Sequence, residues 1–182
     1  MKKTEQLFTF EDYVVPGTIP VLEQPSSNVC WATVLTMLIN WKNKTSLKIE
    51  SVLLSLDDIY LDKFNNNKSL LGWEKKTLLD KSGLVGEIPQ SYTIDGILGL
   101  LKTHGPLWAT TDEDPSKEFS FHARIINGIS GDGSVLGTTL HIIDPNGGRI
   151  YDETFSKFIE KFEQEARDSG SPNPLRIQMA HF

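Results

Sequence analysis

The feature that most constrains this chain is a segment near residue 30 that is apolar on nearly every side. It begins near Ser27-Asn28 and runs to about Lys42, and its apolar members are Val29, Trp31, Ala32, Val34, Leu35, Leu38, Ile39 and Trp41. A helix that is hydrophobic all round belongs inside a domain. We therefore predict a buried helix whose free N–H groups Ser27 or Asn28 caps, with the only cysteine, Cys30, in its first turn.

Hydrophobic periodicity predicts mainly helices as far as residue 103 and mainly strands from residue 107 onward. Further helices are predicted over 49–64, with a break near Leu56, over 74–81, with Gly83 as its C-terminal stop, over 93–103 and over 154–167. Strands are predicted over 107–111, 120–130, 138–143, 149–151 and 175–179. Helices mostly first and antiparallel strands second indicate an α+β fold, a helical half packed on a strongly twisted sheet. We expect an arm over residues 1–20 and one domain over 21–182.

Composition excludes several classes of function. The formal charge of −6 argues against a nucleic-acid partner, which requires a basic surface. No apolar run approaches the ~20 residues of a membrane span. One cysteine allows neither an intramolecular disulfide nor a multi-cysteine zinc site. No apolar stretch follows the charged N-terminus, so we expect no Sec-type signal peptide.

Cys30 is the candidate nucleophile. A thiol attacks a carbonyl as the thiolate, which a helix N-terminus and a neighbouring imidazolium both stabilise. Acyl transfer also builds negative charge on the carbonyl oxygen. Gln24, six residues before Cys30, is a candidate amide donor to that oxygen. The alternative is that Cys30 only packs beside Trp31 and that Gln24 is a surface amide.

The general base is expected to be one of four histidines. His122 opens the longest predicted strand after a loop at 115–118, and a strand start at a cleft combines rigidity with access. His141 lies inside the returning strand and is the reserve candidate. His104 follows a helix, where a C-terminal capping role is expected. His181 is one residue from the chain end and is expected to be frayed.

A third group must hold the imidazole in the right tautomer. Asp144 ends the strand that returns from the His122 strand, and such a hairpin brings its end beside its beginning. Asp144 is also a common turn former before Pro145. Asn146 and Asp152 are the weaker alternatives.

These segments together resemble papain-like cysteine proteases. Residues 24–32, Gln-Pro-Ser-Ser-Asn-Val-Cys-Trp-Ala, are similar to the nucleophile segment of that family, where a Gln six residues before the Cys supplies the oxyanion hole. Closer still is the branch of avirulence-type effector proteases and related domains of bacterial toxins. Residues 105–109, 122–129 and 141–145 resemble the strands of that branch and of bacteriocin-processing peptidases. The Cys-Gly-Ser-Cys-Trp motif of papain itself is absent.

The resemblance implies a Cys-His-Asp triad of Cys30, His122 and Asp144, with Gln24 at the oxyanion. It implies hydrolysis of a peptide or isopeptide bond through a thioester, with no metal and no organic cofactor. The expected partners are a protein or peptide substrate and an immunity protein or host activator. The expected setting is a bacterial effector or toxin, made in the cytoplasm and delivered by a specialised secretion system. The alternatives are a peptidoglycan amidase toxin, acyl transfer to another acceptor, and an inactive papain-fold binding module.

Overall fold

A computed structural model describes residues 10–114, 121–168 and 176–182 of the chain. Within these residues, helices and strands follow the predicted order, and the α+β prediction is confirmed. The helices are α1 (Cys30–Asn43), α2 (Ile49–Leu56), α3 (Asp58–Asn65), α4 (Gly72–Ser82), α5 (Ile94–His104) and α6 (Phe155–Asp168). The strands are β1 (Tyr13–Val14), β2 (Val85–Gly86), β3 (Leu107–Asp112), β4 (Phe121–Gly131), β5 (Thr138–Asp144), β6 (Arg149–Thr154) and β7 (Met179–His181).

The predicted elements and the observed ones differ mainly at their edges. The loop at 115–118 and the first residues of the strands predicted at 120 and 175 lie outside the described residues. Strands β1 and β2 were not predicted, because two residues are too few for a period-2 pattern to show. The predicted break near Leu56 is real, since Asp57 accepts the Ile59 N–H and starts α3. Gly83 ends α4 in the left-handed conformation (φ 78°), as predicted.

The strands form one antiparallel sheet in the order β2-β7-β3-β4-β5-β6, and β1 pairs with β4 beside this path. Residues Tyr13 and Val14, within the expected N-terminal arm, therefore hydrogen-bond to the sheet through Ile129 and Gly128. The long strand β4 lies in the middle and carries β3 on one side and β5 on the other.

Helices cover the sheet on both faces. Alternate residues of a strand point to opposite faces, so Ile125 and Ile143 pack with α1 and the helices around it. Their neighbours Ile126 and Ile142 pack on the other face, in the cluster that α5 and α6 complete. Helix α1 is thus enclosed between α2, α3 and α4 and the central strands, as its apolar character predicted.

A β-bulge in β4 adjusts this alternation. The register with β5 shifts between Ile126 and Gly128. Because one extra residue is accommodated there, Ile129 faces the same cluster as Ile126, although three positions separate them. Gly128 is required at this point, since a Cβ would lie 2.6 Å from Cδ2 of His141.

The predicted cap of α1 was wrong. The N-cap is Val29, whose side chain makes no capping hydrogen bond. Asn28 instead donates from its side chain to the carbonyl of Asn67, and Asn67 accepts the Asn28 backbone N–H. The indole of Trp31 donates to the Lys68 carbonyl at 3.1 Å. The start of α1 is therefore held by the loop between α3 and α4 rather than by its own cap.

The expectation that His181 is frayed was also wrong. His181 is 2% exposed and belongs to β7, where it pairs with Val85 of β2. Its Nε2 lies 2.8 Å from Oε1 of Glu87, and its ring stacks on His104 at 3.7 Å between centroids. Pairing within the sheet ties this end of the chain down, which position in the sequence alone does not reveal.

No helix in the described ranges is long and apolar enough to cross a membrane.

The burial of α1 predicts a large effect of truncating its core side chains. We expect Leu35→Ala to lower the free energy of unfolding by about 2–5 kcal/mol, because it deletes buried methyl groups and leaves a cavity. Leu54→Ala, on the exposed side of α2 (60% exposed), should change it by less than about 0.5 kcal/mol. Urea unfolding measures both, and equal losses in the two variants would contradict the proposed place of α1 in the core.

Candidate active site

Helix α1 brings Cys30 to its own N-terminal end, where the side chain is partly exposed. Residues 31–38 of the helix are buried, so its axis and its N-terminal end are fixed by the packing described above. Since the side chain of Val29 makes no capping hydrogen bond, the positive end of the helix dipole is available to an anion beside Cys30.

His122 lies at the beginning of β4, opposite Thr111 of β3. Its Nε2 is 2.7 Å from Oδ1 of Asp144. Cys30 lies close enough to the same imidazole for its side chain to raise the pKa of His122. With Nε2 occupied by Asp144, Nδ1 is the nitrogen left for the thiol. The structure thus brings Cys30, His122 and Asp144 together in one chain of contacts.

Asp144, at the end of β5, is held by four groups. Oδ1 accepts from His122 and from the backbone N–H of Asn146 at 2.8 Å. Oδ2 accepts from Arg149 at 2.9 Å and from the hydroxyl of Tyr151 at 3.3 Å. The carboxylate therefore also forms the turn expected before Pro145. One side chain, 3% exposed, thus contacts His122 and also holds the turn.

The surroundings of His122 and Asp144 favour the charged form of both side chains. Burial by itself lowers the pKa of His122, but hydrogen bonds to Asp144 and Cys30 and the negative charge of these groups raise the pKa to about 9. Burial by itself raises the pKa of Asp144. The hydrogen bonds from His122 and Asn146 and the charges of His122 and Arg149 outweigh it, so this pKa lies below its ordinary value. The imidazolium–carboxylate pair is thereby favoured at neutral pH.

A second histidine–aspartate pair lies on the neighbouring strands. His141 of β5 faces Asp152 of β6, and Nδ1 of His141 is 2.6 Å from Oδ1 of Asp152. The Asp152 side chain is 61% exposed, against 4% for Asp144. The alternatives considered from the sequence, His141 and Asp152, are thus paired with each other, and it is His122 that contacts Cys30.

Gln24 is tied to the same region through its backbone. Its N–H donates to the carbonyl of Pro145 at 2.8 Å, next to Asp144. Its side-chain Nε2 donates to the carbonyls of Ser26 and Ser27 at 2.8 and 3.2 Å. The amide nitrogen is therefore held at the turn that leads into α1, with its N–H groups on carbonyl acceptors.

Two residues that support Asp144 were not found from the sequence. Arg149 and Tyr151 are alternate residues of β6, and the turn at 145–148 folds this strand back along β5. The available signal was the Asp-Pro-Asn-Gly-Gly run, which predicts such a return. Tyr151 in turn accepts from Arg124 at 2.8 Å. Arg124 is fully buried and ion-paired with Glu153 at 3.0 Å, a contact that no local pattern indicates.

Residues 10–114, 121–168 and 176–182 contain no group of three or more His, Cys, Asp or Glu side chains arranged to hold a metal ion.

The sequence was also compared with models of protein families. The family model described as papain-like cysteine protease AvrRpt2 matches residues 10–163. The chain belongs to the AvrRpt2 family of papain-like cysteine proteases. A search of curated proteins found no significant match.

Membership in the AvrRpt2 family confirms three of the predictions made from the sequence. The resemblance to papain-like proteases of the avirulence-effector branch is correct, the α+β fold is papain-like, and the chain is a cysteine peptidase. A protease of the AvrRpt2 family has a protein or peptide as its substrate. The match spans both the Cys30 helix and the strands that carry His122 and Asp144.

The contacts of His122 predict how its titration responds to its partner. We expect Asp144→Asn to lower the pKa of His122 from about 9 toward the ordinary value of a histidine, because the variant replaces the charged carboxylate at Nε2 with a neutral amide. NMR titration of the ring protons measures this pKa. Asp152→Asn, which alters only the partner of His141, is the matched control and should leave His122 unchanged. A His122 titration that is the same in Asp144→Asn as in the wild type would contradict the assignment.

Proposed function

We propose that the chain cleaves peptide or isopeptide bonds through a thioester intermediate on Cys30, with His122 as acid and base and Asp144 as the orienting group. The observation that carries the proposal is the place of His122, whose imidazole is hydrogen-bonded to Asp144 and lies close enough to Cys30 for that side chain to raise its pKa. A nucleophile, a base and an orienting group in this relation are the requirements of acyl transfer by a thiol.

The proposed first step is attack by the Cys30 sulfur on the scissile carbonyl carbon. The raised pKa of His122 keeps its imidazole protonated near neutral pH, and the form of Cys30 that attacks is the thiolate. A C–S bond forms and the C–N bond breaks as His122 delivers its proton to the leaving amine. In the second step His122 takes a proton from water, water attacks the thioester, and the acid product leaves as the thiol is restored. Asp144, hydrogen-bonded to Nε2, stabilises the imidazolium that is present before the amine leaves and again after water is deprotonated.

We propose that Gln24 donates a hydrogen bond to the oxyanion, together with the Cys30 backbone N–H. Its side chain is anchored at the turn before α1 by two carbonyls, and the bond to Ser27 is the longer one at 3.2 Å. We propose that Nε2 exchanges this longer bond for the oxyanion as the tetrahedral intermediate forms. Such a donor is worth more to the transition state than to the substrate, because the charge develops only on attack.

The biological setting is proposed from the family alone. The name of the family model contains an avirulence designation, which supports a secreted bacterial effector or toxin. We propose that the chain is made in the bacterial cytoplasm, is delivered to a target cell by a specialised secretion system, and meets an immunity protein or host activator there.

Cys30→Ala tests the chemistry. We expect it to reduce peptide hydrolysis by at least about 10³-fold, because the nucleophile is lost, while circular dichroism and the unfolding midpoint stay close to those of the wild type. Product masses distinguish hydrolysis from transfer to another acceptor. An iodoacetamide probe should label wild-type Cys30 rapidly near pH 7. Undiminished turnover in Cys30→Ala, or cleavage of cell-wall fragments in place of peptides, would overturn the proposal.

A pair of histidine variants tests the choice of base. His122→Ala should lose far more activity than His141→Ala, because only His122 contacts the thiol and a buried carboxylate. The two histidines are matched controls for each other, since each has an aspartate partner and a place in the same sheet. The measurement is kcat/KM on one peptide substrate at pH 7. The reverse ranking would show that the base has been misassigned.

A further inference from the structure

A pocket of about 440 Å³ opens directly beside Cys30. Its walls are largely apolar and include Trp31, Leu70, Leu71, Trp108, Ala123 and Ile177. The pocket therefore has room for one large side chain of a bound peptide, and apolar surface to contact the methylene part of that chain.

One wall of this apolar pocket is a lysine. Lys75 lies on α4, three and four residues before the fully packed Leu78 and Leu79, so it shares their inward face. It is 8% exposed. Its Nζ donates to Oγ1 of Thr110 at 2.9 Å and lies 4.9 Å from the ring centroid of Trp108. The ammonium group is thus held at the pocket wall by β3.

Lys75 differs from the other lysines that are largely buried. Lys63 is paired with Glu74 at 2.8 Å, and Lys161 is paired with Glu113 and Glu153 at 2.6 and 2.7 Å. In the described part of the chain no carboxylate lies within 4.0 Å of Nζ of Lys75. A buried ammonium without a counter-ion is costly, and a carboxylate brought by a ligand removes that cost.

Lys75 has charged neighbours on three other parts of the chain. Burial lowers the pKa of Lys75 to about 7; the charges of Glu165 and Cys30 act to raise it, and that of Arg176 lowers it further. Glu165 comes from α6, Cys30 from α1, and Arg176 from the segment before β7; the neighbours on β3, Trp108 and Thr110, are uncharged. Two cations and one carboxylate therefore line the pocket together with the nucleophile.

We propose that this pocket is the subsite for an acidic side chain of the substrate, with glutamate preferred, whose carboxylate pairs with the ammonium of Lys75. The inference rests on the proposed function of Cys30, since it places a substrate residue next to the bond that Cys30 attacks. Glutamate fits because its two methylene groups contact the apolar walls while its carboxylate reaches the cation. Glutamine has the same shape without the charge and is the matched comparison.

Titration of Lys75 adds a pH signature. A carboxylate bound at Nζ favours the ammonium form, so binding of a glutamate side chain is accompanied by proton uptake when the pH is above the pKa of free Lys75. Discrimination between glutamate and glutamine should consequently be full at pH 6 and should decline as the pH rises above about 7.

The test uses the full chain and tripeptidyl chloromethyl ketones, in which the Cys30 sulfur displaces chloride. The ketones carry glutamate or glutamine at the first, second or third position before the ketone, and intact mass measures the rate of alkylation. At one position we expect the glutamate ketone to react at least about tenfold faster at pH 6. In Lys75→Met the ratio should fall to near one. Lys76→Met, an exposed neighbour on the same helix that pairs with Asp80, should keep the wild-type ratio.

The outcomes separate this inference from the function on which it rests. Equal rates for glutamate and glutamine at all three positions in the wild type overturn the subsite and leave Cys30 as nucleophile. A preference that persists in Lys75→Met also overturns it. Absence of alkylation by every ketone overturns both. The wild-type comparison needs no variant, so the test stands even where Lys75→Met folds poorly.

Discussion

The burial of α1 is the constraint on which the rest of the structure depends. A helix that is apolar all round must be enclosed, and here α2, α3, α4 and the central strands enclose it. Its first residue, Cys30, is partly exposed at one end, and Lys42 and Asn43 are exposed at the other. Because packed interiors allow little displacement, the position of the sulfur relative to the sheet is set by the core. The catalytic proposal therefore rests on hydrophobic packing as much as on hydrogen bonds.

The two histidine–aspartate pairs show how surroundings distinguish residues of the same type. His122 and His141 each contact one carboxylate at 2.7 and 2.6 Å. Asp144, however, is buried and also accepts from Arg149, whereas Asp152 is largely exposed. Water and salt screen the interaction between His141 and Asp152, whereas the buried pair of His122 and Asp144 keeps its electrostatic coupling. Geometry between two side chains is therefore insufficient to identify the working pair without their exposure.

Local patterns predicted the elements and the core of the site, and missed what depends on distant contacts. The all-round apolar run predicted α1, whereas the Asp-Pro-Asn-Gly-Gly run was a signal for the return of β6 beside Asp144 that was not used. The cap of α1 was misjudged because Asn67 competes for Asn28. His181 was misjudged because β7 pairs inside the sheet. Burial of Lys75 was missed because nothing in the Lys75-Lys76 pair distinguishes the inward residue from the outward one.

The turn between β5 and β6 has a consequence for how this protein tolerates change. It carries Asp144 at its start, and the carbonyl of its Pro145 holds the backbone of Gln24. A longer turn would therefore displace both Asp144 and Gln24. The opposite hairpin, where Val135 and Leu136 are 52% and 85% exposed, supports no such contacts among the described residues of the site. Natural length variation and engineered insertions should accumulate at that distal hairpin and be rare at 145–148.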